Sequence, residues 1–238
     1  MIKIDNLTVC YPDGTKAVDS LSFEAADGES IALVGANGAG KSTLFMTLVG
    51  VLPISSGAVT VDGTDLNKNT INEIRKKIGI VFQNPDDQLF MPRIYDDVAF
   101  GLRNSGMEES DIEKRVHHAL DHFNIMHLAE RSPLKLSGGE KRVCAMATVL
   151  AMRPSEFLFD EPSSFLDPRA RRNTIELMKS IKQTKIIATH DLRLAVDTCD
   201  RVLVLKKGRL FASGTPGEIL FDIELMNASG LEAIGLDN

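Results

Sequence analysis

The sequence predicts an α/β fold, on three observations. First, the apolar run Ser30-Ile31-Ala32-Leu33-Val34 leads without a break into Gly35-Ala36-Asn37-Gly38-Ala39-Gly40-Lys41-Ser42-Thr43, which fits the pattern G-x-x-x-x-G-K-[ST]. The amphipathic residues Leu44, Phe45, Leu48 and Val49 follow it, so a strand, a phosphate loop and a helix stand in succession. Second, short apolar runs alternate with helical periodicity through the C-terminal part, as a parallel sheet requires. Third, the period is helical from about Tyr95 to Met152, so a mostly helical insert separates two β-rich stretches.

Each element follows from its local pattern. Ile2 and Ile4, then Leu7, Val9 and Tyr11, show partial alternation, and turns at Pro12-Asp13-Gly14 and Asp27-Gly28 flank Val18, Leu21 and Phe23. This stretch predicts a twisted β arm. Ser55-Ser56-Gly57 reads as a breaker before a strand over Ala58 to Val61, closed by Asp62-Gly63. Ile71 to Ile78 predicts a short basic helix, with the strand Gly79 to Phe82 after it. Within the insert, Ser110 and Glu113 form a capping-box pattern, and Ile112, Val116, Leu120 and Phe123 share one helical face. Phe157 to Phe159, Lys185 to Thr189, Arg201 to Leu205 and Leu210 to Ala212 predict strands. Helices are expected to start at Asp167-Pro168 and at Thr215-Pro216, the latter with Glu218 completing a capping box. Asn227 to Asn238 reads as a short tail with weak apolar spacing.

Chemistry concentrates in three places. Glycines at 35, 38 and 40 let main-chain N–H groups converge on an anion at a helix N-terminus, Lys41 can reach β- and γ-phosphates, and Ser42 can ligate Mg²⁺. Phe157-Leu158-Phe159-Asp160-Glu161 is an apolar strand ending in two acids. Behind a phosphate loop, one carboxylate can hold the metal shell and the next can orient or deprotonate the attacking water, the minimum that phosphoryl transfer to water needs. Leu136-Ser137-Gly138-Gly139-Glu140 opens a helical run and offers a second anion-binding helix start.

With these motifs in this order, the chain resembles the ATP-binding subunits of ABC transporters from about residue 1 to 222. Tyr11, the phosphate loop, Gln83, the LSGGE at 136 to 140, Asp160-Glu161, the loop Ser164-Phe165-Leu166-Asp167 and His190 stand in family order. The resemblance implies one ABC ATPase domain over residues 1–238: an α/β P-loop NTPase core with an antiparallel β arm (1–94 and 153–222), a mainly helical signature subdomain (95–152) and a short C-terminal tail (223–238). It also implies hydrolysis of ATP with Mg²⁺ in a head-to-tail dimer, homodimeric or heterodimeric, in which the LSGG loop of one copy covers the γ-phosphate held by the other.

Roles follow position by position from that resemblance. Tyr11 is expected to stack on adenine, though an amphipathic aromatic at a strand edge needs no ligand. Gly35, Ala36, Asn37, Gly38, Ala39, Gly40, Lys41, Ser42 and Thr43 bind ATP; Ser42, Gln83 and Asp160 hold Mg²⁺; Glu161 and His190 are catalytic. Ser137, Gly138, Gly139 and Glu140 act in trans, and Asp167 lines the dimer seam while also suiting a helix N-cap. One departure stands out. The family usually has an Arg three residues after the last residue of LSGGE, whereas position 143 is Val and Arg142 comes one place early. Since one helical residue is about 100° of rotation, the usual contact of that Arg is in question.

Gln83 to Phe90, reading Gln-Asn-Pro-Asp-Asp-Gln-Leu-Phe, looks like the segment found in energy-coupling-factor importers, as do Asp96 to Gly101 and Ala147 to Met152. The short end after about residue 222 is more similar to the cobalt and nickel importers of that group than to the vitamin importers. A separate integral membrane scaffold and substrate-binding membrane subunits are therefore expected partners, with this chain peripheral on the cytoplasmic face of the cell membrane. The alternatives are a vitamin importer of the same class and a soluble ABC ATPase outside transport.

Composition agrees. A net charge of −6 in 238 residues leaves no global basic field for nucleic acid. The apolar runs are far shorter than the ~20 residues that span a bilayer, and the N-terminus lacks a signal-peptide pattern. Cys10, Cys144 and Cys199 lack metal or disulfide spacing and read as reduced packing residues. His117, His118, His122 and His127 cluster, and His118 with His122 has chelating i, i+4 spacing; without a third ligand at obvious spacing, a solvated helix face accounts for them.

Overall fold

The computed structural model describes residues 1–235. An antiparallel arm of four strands is ordered β2-β1-β4-β5, with β1 Ile2–Cys10, β2 Lys16–Ala25, β4 Ser56–Val61 and β5 Thr64–Asp65. The register of β1 shifts between Ile4 and Leu7, where Asn6 has φ 46°. There the sequence reading needs correction, because Gly57 does not break the strand that starts at Ser56. Its φ is 85°, and a Cβ would lie 2.3 Å from the Asn6 carbonyl oxygen, so glycine lets the two bulged strands approach.

The second sheet has six strands in the order β10-β9-β3-β8-β7-β6. These are β3 Ser30–Val34, β6 Ile78–Val81, β7 Glu156–Asp160, β8 Thr184–Ala188, β9 Arg201–Lys206 and β10 Arg209–Gly214. All pairings are parallel except β9 with β10. Strand alternation divides the core in two. Ala32, Val34, Phe157, Phe159 and Val204 pack with the helical part, while Ile31, Leu33, Leu158 and Leu205 pack with the arm and with α1 (Lys41–Leu48). Both faces are covered, which is why these strands are apolar runs without polar alternation.

After α2 (Ile71–Lys77), the helical part comprises α3 (Ile94–Asn104), α4 (Glu109–His122) and α5 (Gly138–Met152). Ile112, Val116, Leu120 and Phe123 are buried, as their spacing predicts. Ser110 is not a cap: α4 begins before it, and its first turn closes on the Glu108 carbonyl through Asp111 N–H at 2.9 Å. The chain then runs through α6 (Pro168–Ser180), α7 (Leu192–Thr198) and α8 (Pro216–Ile219), the last with the expected Thr215–Glu218 capping box.

The C-terminal stretch is more than a tail. It forms α9 (Ile223–Ser229), capped by Asp222 Oδ1 accepting from Leu225 N–H at 2.9 Å and ended by Gly230 at φ 83°. Met226 is fully buried, and Leu231, Ala233 and Ile234 pack on the helical side of the core. At 7 residues this helix is shorter than the window in which a helical period can be read, and its packing is against distant parts of the chain. The tail residues 236–238 lie outside the described residues. Among the described residues no helix is long and apolar enough to cross a membrane.

Candidate functional site

The central strand β3 delivers the phosphate loop to the C-terminal edge of the parallel sheet, where α1 begins. Two of its glycines leave no room for a side chain: a Cβ at Gly35 would lie 2.5 Å from Leu205 O, and one at Gly40, at φ 107°, 2.3 Å from Ala17 O. Lys41 is buried, and its ammonium folds back to donate to Gly35 O at 2.6 Å and Ala36 O at 3.4 Å. Burial pushes its pKa down, against the pull of Glu161 and Asp160.

Ser42 Oγ donates to Asp160 Oδ2 at 3.1 Å. Burial raises the Asp160 pKa; the Ser42 bond and the Lys41 charge act the other way, while Glu161 adds to the rise. Beside them, Tyr11 Oη and Thr43 Oγ1 are 2.9 Å apart, and the half-exposed tyrosine ring sits at the mouth of the cleft. The cleft encloses about 780 Å³, and Gln83, Glu161 and His190 complete its wall.

This donor set fits a nucleotide triphosphate with a divalent cation. A buried ammonium that, among the described residues, is bonded only to its own loop, together with N–H groups at a helix start, suits phosphate oxygens. A hydroxyl beside a buried carboxylate presents the hard oxygen ligands that Mg²⁺ takes.

The last strand residue, Asp160, and the next, Glu161, reach the same cleft because the chain turns sharply between them. Glu161 has φ 48° and donates its N–H to Ala188 O at 2.8 Å, which overrides the strand alternation that would send its side chain to the other face. Next to it, His190 is carried in by β8. Sequence reasoning missed the group that holds this histidine loop. Asp191 caps α7 by accepting from Leu194 N–H at 3.0 Å, and it also accepts from Ser163 Oγ at 3.0 Å and from Arg171 Nε at 2.6 Å. Burial opposes ionisation of Asp191, but Arg171 and the cap bonds outweigh it and leave its pKa low. An acid directly before a helical run was the available signal.

The second glycine loop lies elsewhere. Ser137 caps α5 in a full capping box with Glu140. Together with Gly139, Glu140 and Asp167 it lines a separate cleft of about 820 Å³, while Gly138 faces a third. Asp167 caps α6, its Oδ1 accepting from Arg169 N–H at 2.8 Å and Ala170 N–H at 2.9 Å. Within one chain, then, the phosphate loop, Gln83, Asp160, Glu161 and His190 come together; Ser137, Gly139, Glu140 and Asp167 do not join them, and Gly138 meets Gln83 in a cleft without the phosphate loop. Val143 lines the cleft beside Asp167. Arg142 turns the opposite way and is buried.

His117, His118, His122 and His127 are all exposed, as a solvated face predicts. His122 Nε2 lies 2.9 Å from Ser180 Oγ, and its ring stacks with that of His118 at 6.3 Å between centroids. Among the described residues the group of three potential metal ligands is Asp27, Asp62 and Glu156, and the Met1 ammonium donates to all three.

The sequence pattern of the ABC transporter family matches residues 18–164. A protein of Geobacter sulfurreducens provisionally named an ABC transporter ATP-binding protein is 46% identical, over 98% of this chain and 93% of its own. An energy-coupling factor transporter ATP-binding protein, EcfA, of Carboxydothermus hydrogenoformans is 43% identical, over 98% of this chain and 87% of its own. Among solved structures, cbiO1 of Clostridium perfringens, described as part of the ABC transporter complex cbiONQ, is 39% identical with a TM-score of 0.85, covering 95% of this chain and 93% of its own. A dimeric ATP-binding cassette bound to ADP and Pi is 26% identical with a TM-score of 0.80, covering 91% of this chain and 99% of its own. Sequence, fold and nucleotide cleft agree: the chain belongs to the ABC transporter family, as an ATP-hydrolysing subunit.

Proposed function

We propose that this chain is the ATPase subunit of an energy-coupling-factor importer that drives uptake of cobalt or nickel through separate membrane subunits. One observation carries the dimer. The phosphate loop and the Ser137 loop are two anion-binding helix starts on one chain that line different clefts, so a head-to-tail pair lets each complete the other's ATP site. In that pair Ser137, Gly138, Gly139 and Glu140 of one copy face the γ-phosphate held by the other, and Asp167 lies along the seam.

Within the nucleotide cleft, Tyr11 stacks on adenine and Lys41 holds the β- and γ-phosphates. Ser42, Gln83 and Asp160 hold Mg²⁺, which when bound neutralises phosphate charge. Glu161 orients the attacking water and takes its proton, and His190 fixes that carboxylate and approaches the γ-phosphate.

The membrane scaffold docks on the surface after Gln83. There Phe90, 60% exposed, meets Phe100 edge to face at 4.9 Å, and both line a groove that continues to Gly101 and Met152. Exposed aromatic groups beside a groove suit an apolar partner segment. Selectivity then resides in another subunit, and the chain sits peripherally on the cytoplasmic face of the membrane. The names of the EcfA and cbiO1 relatives and the Gln83 to Phe90 segment support the importer class, and the metal cargo is the narrower reading that uptake decides.

Co-expression with the chain's own membrane partners in vesicles tests this. ATP-dependent uptake of labelled Co²⁺ or Ni²⁺ is expected, and it should disappear with Glu161→Gln. Uptake of a vitamin instead rejects the metal cargo; outward transport rejects the importer.

A further inference from the structure

The arginine that stands one place early in the sequence reaches into the back of the nucleotide cleft wall. Arg142 is 2% exposed; its Nη1 donates to Phe82 O at 2.7 Å and its Nη2 to Gln83 O at 2.6 Å. Its Nε has no partner among the described residues, and the Asp160 carboxylate acts on it only through space. Removing a guanidinium from water is costly, and an apolar side chain of similar volume would cost the fold less. Two neutral main-chain carbonyls of one loop are the groups the charge engages instead. Its planar fork lets it grip both at once, which a lysine cannot do.

Three more contacts lie along the same stretch of α5. Lys141 Nζ lies 2.6 Å from Asp86 Oδ1, and Gln88 Nε2 donates to Ala145 O at 2.9 Å and to Thr148 Oγ1 at 2.7 Å. Positions 141, 145 and 148 are spaced i, i+4 and i+7, so they form one stripe of the helix. The segment Phe82 to Gln88 is thus fastened along the first turns of α5, whose N-cap is Ser137. Gln83, the residue whose carbonyl Arg142 holds, is also the residue of that segment that lines the nucleotide cleft with Lys41 and Asp160.

We propose that Arg142 is a positioning residue for ATP hydrolysis: by holding the Phe82 and Gln83 carbonyls it sets the approach of Gln83 to the nucleotide and makes the Gln83 loop and the Ser137 end of α5 move as one piece. The inference rests on the reading that Gln83 acts on the bound MgATP. A change at Gln83 on nucleotide binding is then passed to the loop that serves the partner's ATP. Val143, where the family usually has its Arg, has no part in this link, since it lines the other side of the helix.

The test uses the full chain with Arg142→Met, Arg142→Lys, Gln83→Ala and the double variant Gln83→Ala/Arg142→Met. For Arg142→Met, turnover should fall about 10- to 100-fold with KM for MgATP within about threefold, and in the Gln83→Ala background the same change should cost less than about twofold. Hydrogen exchange at the amides of residues 83–88 should speed up about tenfold or more in Arg142→Met and by less in Arg142→Lys, while the β arm stays unchanged. An equal loss of turnover in both backgrounds overturns the proposal, as does unaltered exchange at 83–88. If Gln83→Ala alone keeps full turnover, the reading of Gln83 fails while the exchange result still judges the clamp. Should Arg142→Met not fold, Arg142→Lys decides: protection at 83–88 equal to wild type overturns the clamp, and selective loss of it supports the clamp.

Discussion

His190 Nδ1 lies 2.8 Å from Glu161 Oε2, and the His190 main-chain N–H donates to the same oxygen at 3.2 Å. The carboxylate is therefore placed by the loop after β8 and not by its own strand. Glu161 itself leaves β7 in a left-handed conformation, which a residue without glycine's freedom keeps only when its surroundings hold it there.

Glu161→Gln keeps the shape of the site and removes the carboxylate proposed as proton acceptor. Steady-state hydrolysis should fall by about 10²–10⁴, the usual contribution of a general base, while ATP binding persists and ATP holds a stable dimer. Turnover within about threefold of wild type would remove Glu161 from the role of base.

Lys41→Ala should act on binding. A bond to a charged group contributes about 1.5–3 kcal/mol, so affinity for ATP should weaken about 10- to 100-fold or more. Lys41 is bonded to Gly35 O at 2.6 Å, so the phosphates must draw it away from its own loop. An equilibrium titration with a fluorescent ATP analogue measures the loss, and affinity equal to wild type would contradict the phosphate-loop assignment.

Much of this site was legible in the sequence, for physical reasons that differ by residue. The phosphate loop is contiguous, its glycines have steric causes, and its flanking strand and helix have strong patterns, so residues 35–43 could be read directly. Asp160 and Glu161 were legible as a strand end, but the positive φ that turns Glu161 inward left no sequence mark. Arg142 could be named as a departure and not given a contact, because its partners are main-chain carbonyls about sixty positions away and carry no side-chain signature. The folded C-terminal stretch was missed for a similar reason: Met226 and Leu231 pack on distant parts of the chain, and long-range packing is invisible to local periodicity.

Ser137→Arg tests the pairing of the two clefts. The substitution places a long cation at the N-cap of α5, away from this chain's own nucleotide cleft. Monomer binding of ATP should stay within about twofold, while the ATP-dependent dimer of the Glu161→Gln background should be lost on size exclusion; losing an N-cap lowers stability by only about 0.5–2 kcal/mol. A dimer that persists would place the seam elsewhere.

The N-terminus gives a prediction about stability. The Met1 ammonium lies 2.5 Å from carboxylate oxygens of Asp27, Asp62 and Glu156. These acids sit after β2, after β4 and at the start of β7, so one charge ties the arm to the core sheet. Burial works against the ammonium, but the three hydrogen bonds outweigh it and push its pKa from 8.0 up to about 11. A group whose pKa is raised by folding contributes stability that is complete below its unfolded value and is lost as pH rises through the folded one. The contribution should therefore be full at pH 7 and fade between pH 8 and about 11. An N-terminally acetylated chain removes the charge and keeps every other titrating group, so its urea midpoint should be lower than that of the free-amine chain at pH 7, with the gap closing toward pH 11. Equal midpoints at pH 7 would show that the three carboxylates gain nothing from the amine. A gap that stays constant to pH 11 would assign the difference to the shape of the acetyl group and not to charge.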